Sequence, residues 1–166
     1  MTDRYAVIGN PISHSKSPIL HAAFAKQTHQ DISYEAILGP LDGFRETVLE
    51  LRNNGGKGMN VTVPFKVQAL ELADVLTPRA KQARAVNTLS FDQHGIYGDN
   101  TDGIGLVRDI QERLDFCLQG KRILILGAGG AARGVILPIL DERPEHVAVA
   151  NRTIEKALAI QQQFAE

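Results

Sequence analysis

The stretch KRILILGAGGAARG, Lys121–Gly134, decides the fold class that this sequence predicts. Four of the five residues from Ile123 to Gly127 are large and apolar, as in a parallel strand that is covered on both faces. A turn with the spacing G-x-G-x-x-A follows and opens a helix, and the second strand HVAVA, His146–Ala150, comes after that helix. In this strand, helix and strand context, the glycine pattern predicts dinucleotide binding rather than a plain structural turn.

The small residues of this turn have steric roles in such a site. Gly127 allows the tight turn, Gly129 lets the backbone approach a pyrophosphate, and Ala132 permits close packing of the helix on the strand. The first turn of the helix directs its free N–H groups at the phosphates. The predicted cofactor-binding residues of this loop are Gly127, Ala128, Gly129, Gly130 and Ala131.

The end of the second strand indicates which dinucleotide would bind. An NAD site usually has an Asp or Glu about 20 residues beyond the glycines, which binds the ribose 2′-hydroxyl. Here the sequence is Asn151-Arg152-Thr153, without a carboxylate. The guanidinium of Arg152 can hold a 2′-phosphate in a bidentate manner, with Asn151 and Thr153 as further donors, so NADP is favoured over NAD. Alternatively, Thr153 only caps the helix that begins at Ile154, and Arg152 is solvated.

Composition and charge narrow the class of protein. The chain has 166 residues, 43% of them hydrophobic, with 18 Lys and Arg against 19 Asp and Glu. This balance offers no basic field for nucleic acid or anionic lipid. The N-terminal MTDRYAVIGN is neither a secretory signal nor a membrane span, so we expect a soluble, cytoplasmic protein. Cys117 is the single cysteine, which predicts no disulfide and no metal site, and we expect its thiol to be buried.

Strands and helices alternate before the glycine-rich unit, which predicts an α/β fold. Strands are predicted at residues 5–9, 32–37 and 59–63, and a hairpin from AVNTLSF and GIYGDN around the turn at 92–95. Helices are predicted from Pro18 with Ser17 as N-cap, over 41–51, over 67–72, from Pro78 and from Asp102 through Leu114. We therefore expect an α/β substrate-binding and catalytic domain (1–101), a connecting helix and linker (102–120) and an incomplete Rossmann-like NADP-binding domain (121–166).

A lysine follows the strand of the stretch MNVTVPFK, Met59–Lys66. Open α/β sheets build their sites at the carboxyl ends of strands, and Lys66 there can give a proton to the oxygen that becomes a hydroxyl. Asp102 begins the connecting helix, whose N-terminus stabilises its charge, and it would orient the ammonium. Alternatively, Lys66 is solvent-facing and Asp102 is an ordinary helix-cap acid.

Six motifs occur in order along the chain: GNPISHSKSP, GMNVTVPFK, AVNTL, GDNTDGIGL, GAGGAARG and NRT. Together they closely resemble the shikimate dehydrogenase family, and the similarity runs over the whole chain. The resemblance implies reversible reduction of 3-dehydroshikimate to shikimate with NADPH, a step in aromatic amino-acid (chorismate) biosynthesis. It also implies that Ser15 and Ser17 bind the substrate carboxylate, which agrees with hydroxyl donors at a helix N-terminus facing an anion.

The resemblance assigns roles to further polar residues. Asn60, Thr62, Asn87 and Asp102 would hold the ring hydroxyls of the substrate, and Lys66 with Asp102 would carry the acid-base step. The alternative for Asn60, Thr62 and Asn87 is local hydrogen bonding at a turn or strand edge.

The chain stops at Glu166, whereas members of the family continue for roughly another hundred residues. The chain then lacks the third strand of the cofactor-binding half, and a sheet edge is exposed. We expect a fragment with weak or absent turnover by itself. Two other functions stay open: a catalytically inactive chain that binds shikimate or nucleotide, and a dehydrogenase that also accepts quinate. The sequence leaves the oligomeric state undecided, with a homodimer as one option.

Overall fold

The computed structural model describes residues 2–164, and these form the mixed α/β fold that the sequence predicts. The strands are β1 (Asp3–Gly9), β2 (Ile32–Leu38), β3 (Gly56–Val61), β4 (Val75–Leu76), β5 (Thr88–Phe91), β6 (Ile96–Asp99), β7 (Arg122–Leu126) and β8 (His146–Ala150). The helices are α1 (Ser17–Thr28), α2 (Phe44–Asn53), α3 (Lys66–Leu72), α4 (Pro78–Ala83), α5 (Asp102–Arg108), α6 (Gly130–Asp141) and α7 (Ile154–Phe164). A π-helical segment, Asp109–Arg113, directly follows α5.

The chain divides into two compact units. The first contains the residues up to Thr77 together with Val86–Asp99, and the second contains Pro78–Ala85 together with the residues from Asn100 onward. The first unit has a six-stranded sheet in the order β2-β1-β3-β5-β6-β4, and the second has β7 and β8 as a parallel pair.

The topology of the first sheet gathers several chain segments at one edge. β1 is parallel to both β2 and β3, so the carboxyl ends of these three strands lie at the same edge. β5 is antiparallel to β3, with Thr88 opposite Asn60. The chain therefore enters β5 beside the end of β3. The segments after β1 and β3 and the residue before β5 meet at this edge.

The core of the first unit lies on one face of its sheet. Strand register places Ala6 beside Met59 and Ile8 beside Val61, and these side chains are almost completely buried. On this face α2 buries its own apolar stripe, and the ring of Phe44 stacks on that of Phe65 at 5.1 Å between centroids. A period of two residues puts the neighbours Val7 and Asn60 on the opposite face.

The opposite face is only partly covered. α1 contacts β1 and β2 but has no buried residue, and its side chains Ile19, Leu20 and Phe24 are exposed. A cavity of about 440 Å³ lies there, and its lining includes His21 of α1 and Tyr34 and Asn60 of the sheet. The polar residues of this face are therefore accessible from the cavity.

The second unit packs α6 against the parallel strands. Ala132 and Ile136 of α6 form a buried cluster with Ala128 and Ile160, and Ile125 of β7 packs against it. The small Ala132 thus allows close helix-to-strand packing, as the glycine pattern predicts.

Most predicted elements of the chain are confirmed. The hairpin of β5 and β6, the short helix that begins at Pro78 and the strand His146–Ala150 all occur. The predicted strand 59–63 lies instead at Gly56–Val61, because Thr62 begins the turn that leads to Lys66. The short strand β4 was not predicted, since two residues carry no readable period.

Three local predictions for helices were wrong. Ser17 is the first residue of α1 and not its N-cap, which is Lys16. α2 begins at Phe44 rather than at Leu41, whose side chain is exposed. The connecting helix ends in the π-helical segment, so Leu114 lies outside it and is 60% exposed.

Two predictions of burial were also wrong. Cys117 is exposed, because the helical segment ends at Arg113 and the chain turns at Asp115 with φ of 49°. Within residues 2–164, β7 is covered on one face: Ile123 and Ile125 pack against the helices, whereas Leu124 and Leu126 are 61% and 80% exposed.

Over the described residues, every helix is too short or too polar to cross a lipid bilayer.

Candidate active site

The glycine-rich loop of the second unit has space around its backbone. Gly127 follows β7 with φ of 113°, a conformation that glycine adopts without strain, and its N–H donates to the carbonyl oxygen of Ala150 at 2.7 Å. A Cβ atom built on Gly127 or Gly129 would meet nothing within 4 Å. Gly129 is the N-cap of α6, so the N–H groups of the first helical turn open next to this space. The loop therefore fits the approach of a pyrophosphate.

The segment after β8 lies beside this loop. The hydrogen bond between Gly127 and Ala150 ties the glycine turn to the residue directly before Asn151. The side-chain amide of Asn151 donates to the carbonyl oxygen of Thr153 at 2.8 Å and shapes the turn into α7. Arg152 is exposed and, within residues 2–164, its guanidinium has no hydrogen bond or ion pair. The structure thus brings together the two predicted parts of the cofactor site, with no carboxylate among Asn151–Thr153.

The sheet edge of the first unit carries the other candidate residues. Lys66 begins α3 and is half-buried, and its carbonyl oxygen accepts the N–H of Val86 at 2.9 Å. Thr62 follows β3 directly, and its N–H donates to the carbonyl oxygen of Ile8 at 3.0 Å. Asn87 is 8% exposed, and its carbonyl oxygen accepts the N–H of Val61 at 2.8 Å. Backbone hydrogen bonds therefore hold all three residues near the ends of β1 and β3.

A chain of side-chain hydrogen bonds crosses this edge. The hydroxyl of Tyr34 donates to Oδ1 of Asn60 at 2.6 Å, and Nδ2 of Asn60 donates to the hydroxyl oxygen of Thr88 at 3.3 Å. The hydroxyl of Thr88 donates in turn to Oδ1 of Asn87 at 2.9 Å. We call these residues, Tyr34, Asn60, Thr88 and Asn87, the β-edge network. It joins two candidate substrate residues, Asn60 and Asn87, to two that were not predicted.

The start of α1 extends the same polar region. The N–H of Ser17 donates to Oγ of Ser15 at 3.3 Å, so these two candidate residues contact each other. The side chain of Ser17 lies close enough to Tyr34 to affect the pKa of its phenol. Ser17 is therefore near the Tyr34 end of the β-edge network.

Burial shifts the pKa values of Tyr34 and His21, two aromatic residues of this region. Burial raises the pKa of Tyr34 to about 12, although the nearby hydroxyl of Ser17 acts in the opposite direction. The phenol is therefore neutral and available as a donor at neutral pH. Burial lowers the pKa of His21, against the effect of its hydrogen bond with Asn60. The His21 ring stacks on Tyr34 with centroids 4.0 Å apart and planes 5° from parallel.

Asp102 begins α5 in the second unit. Its N–H donates to Oδ1 of Asn100 at 3.2 Å, and Nδ2 of Asn100 donates to the carbonyl oxygen of Ala85 at 3.0 Å. Asn100 is 3% exposed and joins the start of α5 to the segment after α4. Lys66 lies in the first unit and Asp102 in the second, so their pairing stays a prediction.

Sequence reasoning missed Tyr34, His21, Thr88 and Asn100. Tyr34 stands in an alternating strand and Thr88 in the motif AVNTL, so both residue types were visible. Their partners depend on strand register, which places β2, β3 and β5 side by side. Asn100 lies two residues before a helix start, which is a usable signal for a side chain that accepts from a helical N–H.

The glycine loop of a parallel β-α-β unit and the polar sheet edge of a preceding α/β unit define a class of α/β proteins with a Rossmann-like second part. Two family descriptions match the chain: "Shikimate dehydrogenase substrate binding domain" over residues 7–89 and "Shikimate / quinate 5-dehydrogenase" over residues 108–166. The chain belongs to the shikimate dehydrogenase family.

Individual relatives agree with this assignment. Shikimate dehydrogenase (NADP(+)) of Nitrosomonas europaea is 62% identical over 164 residues, which cover 98% of this chain and 59% of that protein. The crystal structure of shikimate dehydrogenase from Aquifex aeolicus has a TM-score of 0.92 at 36% identity and covers 99% of this chain and 61% of that one. The shikimate 5-dehydrogenase of Thermus thermophilus in complex with NADP(H) and shikimate has a TM-score of 0.90 at 35% identity, with 99% and 61% covered. The chain thus spans about 60% of the length of these relatives.

Proposed function

We propose that this chain provides the substrate site and part of the cofactor site of an NADP-dependent shikimate dehydrogenase, which reversibly reduces 3-dehydroshikimate to shikimate. The observation that carries the proposal is the hydrogen-bonded connection of Asn60 and Asn87 through Thr88 at one sheet edge, with Ser17 nearby, in a chain of this family. These are the residue types that recognise a polyhydroxylated carboxylic acid: hydroxyl donors for the carboxylate, and amides for ring hydroxyls.

Each candidate residue has a role in binding this substrate. The hydroxyls of Ser15 and Ser17 donate to the carboxylate, next to the N-terminus of α1. Asn60, Thr62, Asn87 and Asp102 hold the ring hydroxyls. A site of this kind rejects an analogue that lacks one hydroxyl, because the buried Asn87 would then lose a partner.

The reaction needs a proton at the substrate oxygen. NADPH, when bound, supplies the hydride to the carbonyl carbon of 3-dehydroshikimate. The ammonium of Lys66 gives its proton to the carbonyl oxygen in this direction, and the neutral amine takes the proton back in the oxidation of shikimate. Asp102 accepts a hydrogen bond from the reacting substrate hydroxyl and supports the proton transfer.

The cofactor is held by the loop Gly127–Ala131 and by Asn151–Thr153. The open space at Gly127 and Gly129 supports the approach of the pyrophosphate to the backbone and to the first turn of α6. The exposed guanidinium of Arg152 binds the 2′-phosphate of NADP.

The decisive experiment combines binding and turnover. We expect calorimetry to detect shikimate binding to this chain, and we expect NADP⁺-dependent oxidation of shikimate in the protein that carries it. Quinate serves as the matched ligand, since it has one additional ring hydroxyl and no ring double bond; we expect a lower kcat/KM for quinate than for shikimate. Absence of shikimate binding by the folded chain would refute the proposed substrate site.

Binding without turnover has a separate meaning. If the whole protein binds shikimate and NADP⁺ but forms no NADPH, the chain belongs to a catalytically inactive binding protein. The assignment of residues 1–101 to substrate, 102–120 to a connection and 121–166 to NADP belongs to the same proposal, as do a cytoplasmic location and a homodimer.

A further inference from the structure

Asn100 is a buried polar side chain next to a candidate catalytic residue. It is 3% exposed and lies two residues before Asp102, with which α5 begins. The proposed function gives Asp102 a hydrogen bond from the substrate hydroxyl but gives Asn100 no role. We propose that Asn100 is a positioning residue, which directs the carboxylate of Asp102 toward the substrate by fixing the start of α5. The inference rests on the proposed function, because that function places Asp102 in contact with the substrate.

The two ends of the Asn100 amide bind two different segments. Oδ1 accepts the N–H of Asp102 at 3.2 Å, and Nδ2 donates to the carbonyl oxygen of Ala85 at 3.0 Å. A backbone N–H only donates and a carbonyl oxygen only accepts, so these partners require a side chain with one acceptor and one donor. Asparagine meets this requirement, whereas an aspartate of the same size would place a second oxygen against the carbonyl of Ala85.

The hydrogen bond to Asp102 holds a helix end in place. The first N–H groups of a helix have no acceptor within the helix, and the first bond within α5 runs from the N–H of Gly105 to the carbonyl oxygen of Thr101 at 3.0 Å. Oδ1 of Asn100 therefore supplies the acceptor that Asp102 lacks. Because this bond fixes the backbone of Asp102, it also fixes the direction in which its side chain leaves the helix.

The Asn100 amide is also enclosed by α6. A Cβ atom built on Gly134 would be 2.9 Å from Oδ1 and 3.0 Å from Nδ2 of Asn100, which is too close for a methyl group. The missing side chain of Gly134 thus leaves the space that the amide occupies. Since α6 begins at the glycine loop, one buried amide joins the start of α5 to the helix of the proposed cofactor site.

The main test is Asn100→Ala in the whole protein, with and without the carboxylate of Asp102. We expect kcat for NADP⁺-dependent oxidation of shikimate to fall roughly 10- to 100-fold, because misplacing a catalytic group by about 1 Å has an effect of this size. The KM for NADP⁺ should change less than about twofold, since the glycine loop is untouched. In an Asp102→Ala background, Asn100→Ala should lower kcat less than about twofold, because no carboxylate remains to be directed.

A purely structural role of Asn100 gives a different result. The N–H of residue 102 loses its acceptor in both backgrounds, so Asn100→Ala should lower the midpoint of urea unfolding by the same amount in both. If Asn100 only stabilises the fold, the fold-change in kcat is also the same in both backgrounds. That result would overturn the proposal.

Gly134→Ala reaches the same amide from another helix and keeps the test available if Asn100→Ala fails to fold. The added methyl displaces the Asn100 amide, so we expect kcat to fall about tenfold or more, and again less than about twofold in the Asp102→Ala background. Gly105→Ala is the matched control. A Cβ atom there would meet nothing within 4 Å, so kcat should stay unchanged.

The outcomes separate this inference from the proposed function. If the parent protein does not oxidise shikimate with NADP⁺, the proposed function is wrong and the role of Asn100 is overturned with it. If the parent protein oxidises shikimate and both Asn100→Ala and Gly134→Ala keep its kcat, the positioning role is wrong and the proposed function stands.

Discussion

Lys66 is the residue on which the proposed chemistry depends. It is half-buried at the start of α3, beside Asn87 through the backbone hydrogen bond with Val86. For the whole protein we predict that Lys66→Ala lowers kcat by roughly 10²- to 10⁴-fold, the usual contribution of general acid-base catalysis, with little change in KM for shikimate. Steady-state kinetics measure this, with Lys26→Ala at the exposed end of α1 as control. An unchanged kcat would remove Lys66 from the proton transfer.

Arg152 should distinguish the two nicotinamide cofactors. Its guanidinium is exposed beside the glycine loop, where a 2′-phosphate would lie. We predict that Arg152→Ala raises the Kd for NADPH by roughly 10- to 100-fold, because hydrogen bonds to a charged partner contribute about 1.5–3 kcal/mol, and leaves the Kd for NADH nearly unchanged. Arg122→Ala, at the opposite end of β7, removes the same charge away from the loop. Equal losses for both cofactors would contradict the assigned role.

His21 should make the stability of the first unit depend on pH. Because burial lowers its pKa below 6.5, the folded state binds fewer protons at this ring than the unfolded state does. Above the unfolded pKa, protonation of this ring therefore does not lower the free energy of unfolding. As pH falls through the unfolded pKa toward the lower folded pKa, the free energy of unfolding decreases. We predict a greater loss of stability from about pH 7.5 to about pH 5.5 for the parent chain than for His21→Gln, measured by urea unfolding. Equal losses would show that His21 does not titrate abnormally.

The contact between α5 and α6 depends on small residues. A Cβ atom on Gly103 of α5 would collide with the carbonyl oxygen of Gly134 and with Pro138, both in α6. The same addition at Gly105, two residues later in α5, would meet nothing within 4 Å. The two glycines of α5 therefore differ in their role, although the sequence places them in one motif.

We predict that Gly103→Ala lowers the free energy of unfolding of the second unit by about 1–3 kcal/mol, as expected for an overpacked contact. Gly105→Ala is the matched control and should raise it by about 0.5–1 kcal/mol, since alanine favours the helix over glycine. Urea denaturation followed by circular dichroism measures both changes. An unchanged free energy of unfolding for Gly103→Ala would mean that α5 and α6 can move apart without loss of stability.

Shikimate and NADPH should each protect a different unit of the protein from hydrogen exchange. At about 100 times its Kd, a ligand that binds only the folded state stabilises that state by about 2.7 kcal/mol. We predict that shikimate slows hydrogen exchange of amides in β3 and β5 by up to about 100-fold, where exchange requires opening of the bound unit. NADPH should protect β7 and the start of α6 instead. Protection of β7 but not of β3 by shikimate would contradict the division of roles.

Much of the second unit could be predicted from its sequence. The apolar run before Gly127, the helix after Gly129 and the strand His146–Ala150 are local patterns, so the β-α-β unit and its loop followed without knowledge of distant contacts. The exposure of Leu124 and Leu126 did not follow, because burial depends on which elements cover each face of a strand. Cys117 was misjudged for a related reason: a helical period was extended past the true end of the helix.

For the candidate site, the residues could be predicted from the sequence, but their arrangement could not. The identities of Ser15, Ser17, Asn60, Asn87, Lys66 and Asp102 were available from motifs, since each motif is a short continuous segment. Their mutual arrangement was not. The β-edge network joins residues of β2, β3 and β5, and strand register rather than sequence proximity brings their side chains within hydrogen-bond distance.

The sequence by itself therefore determined the class of fold and the family, and it predicts the cofactor NADP, because glycine spacing, alternation and charge act over a few neighbouring residues. Only the tertiary structure decided that Tyr34 of β2, stacked on His21, donates a hydrogen bond to Asn60 of β3. The physical reason is that a hydrogen bond requires donor and acceptor within about 3 Å, and for residues from separate strands only the packed sheet supplies that distance.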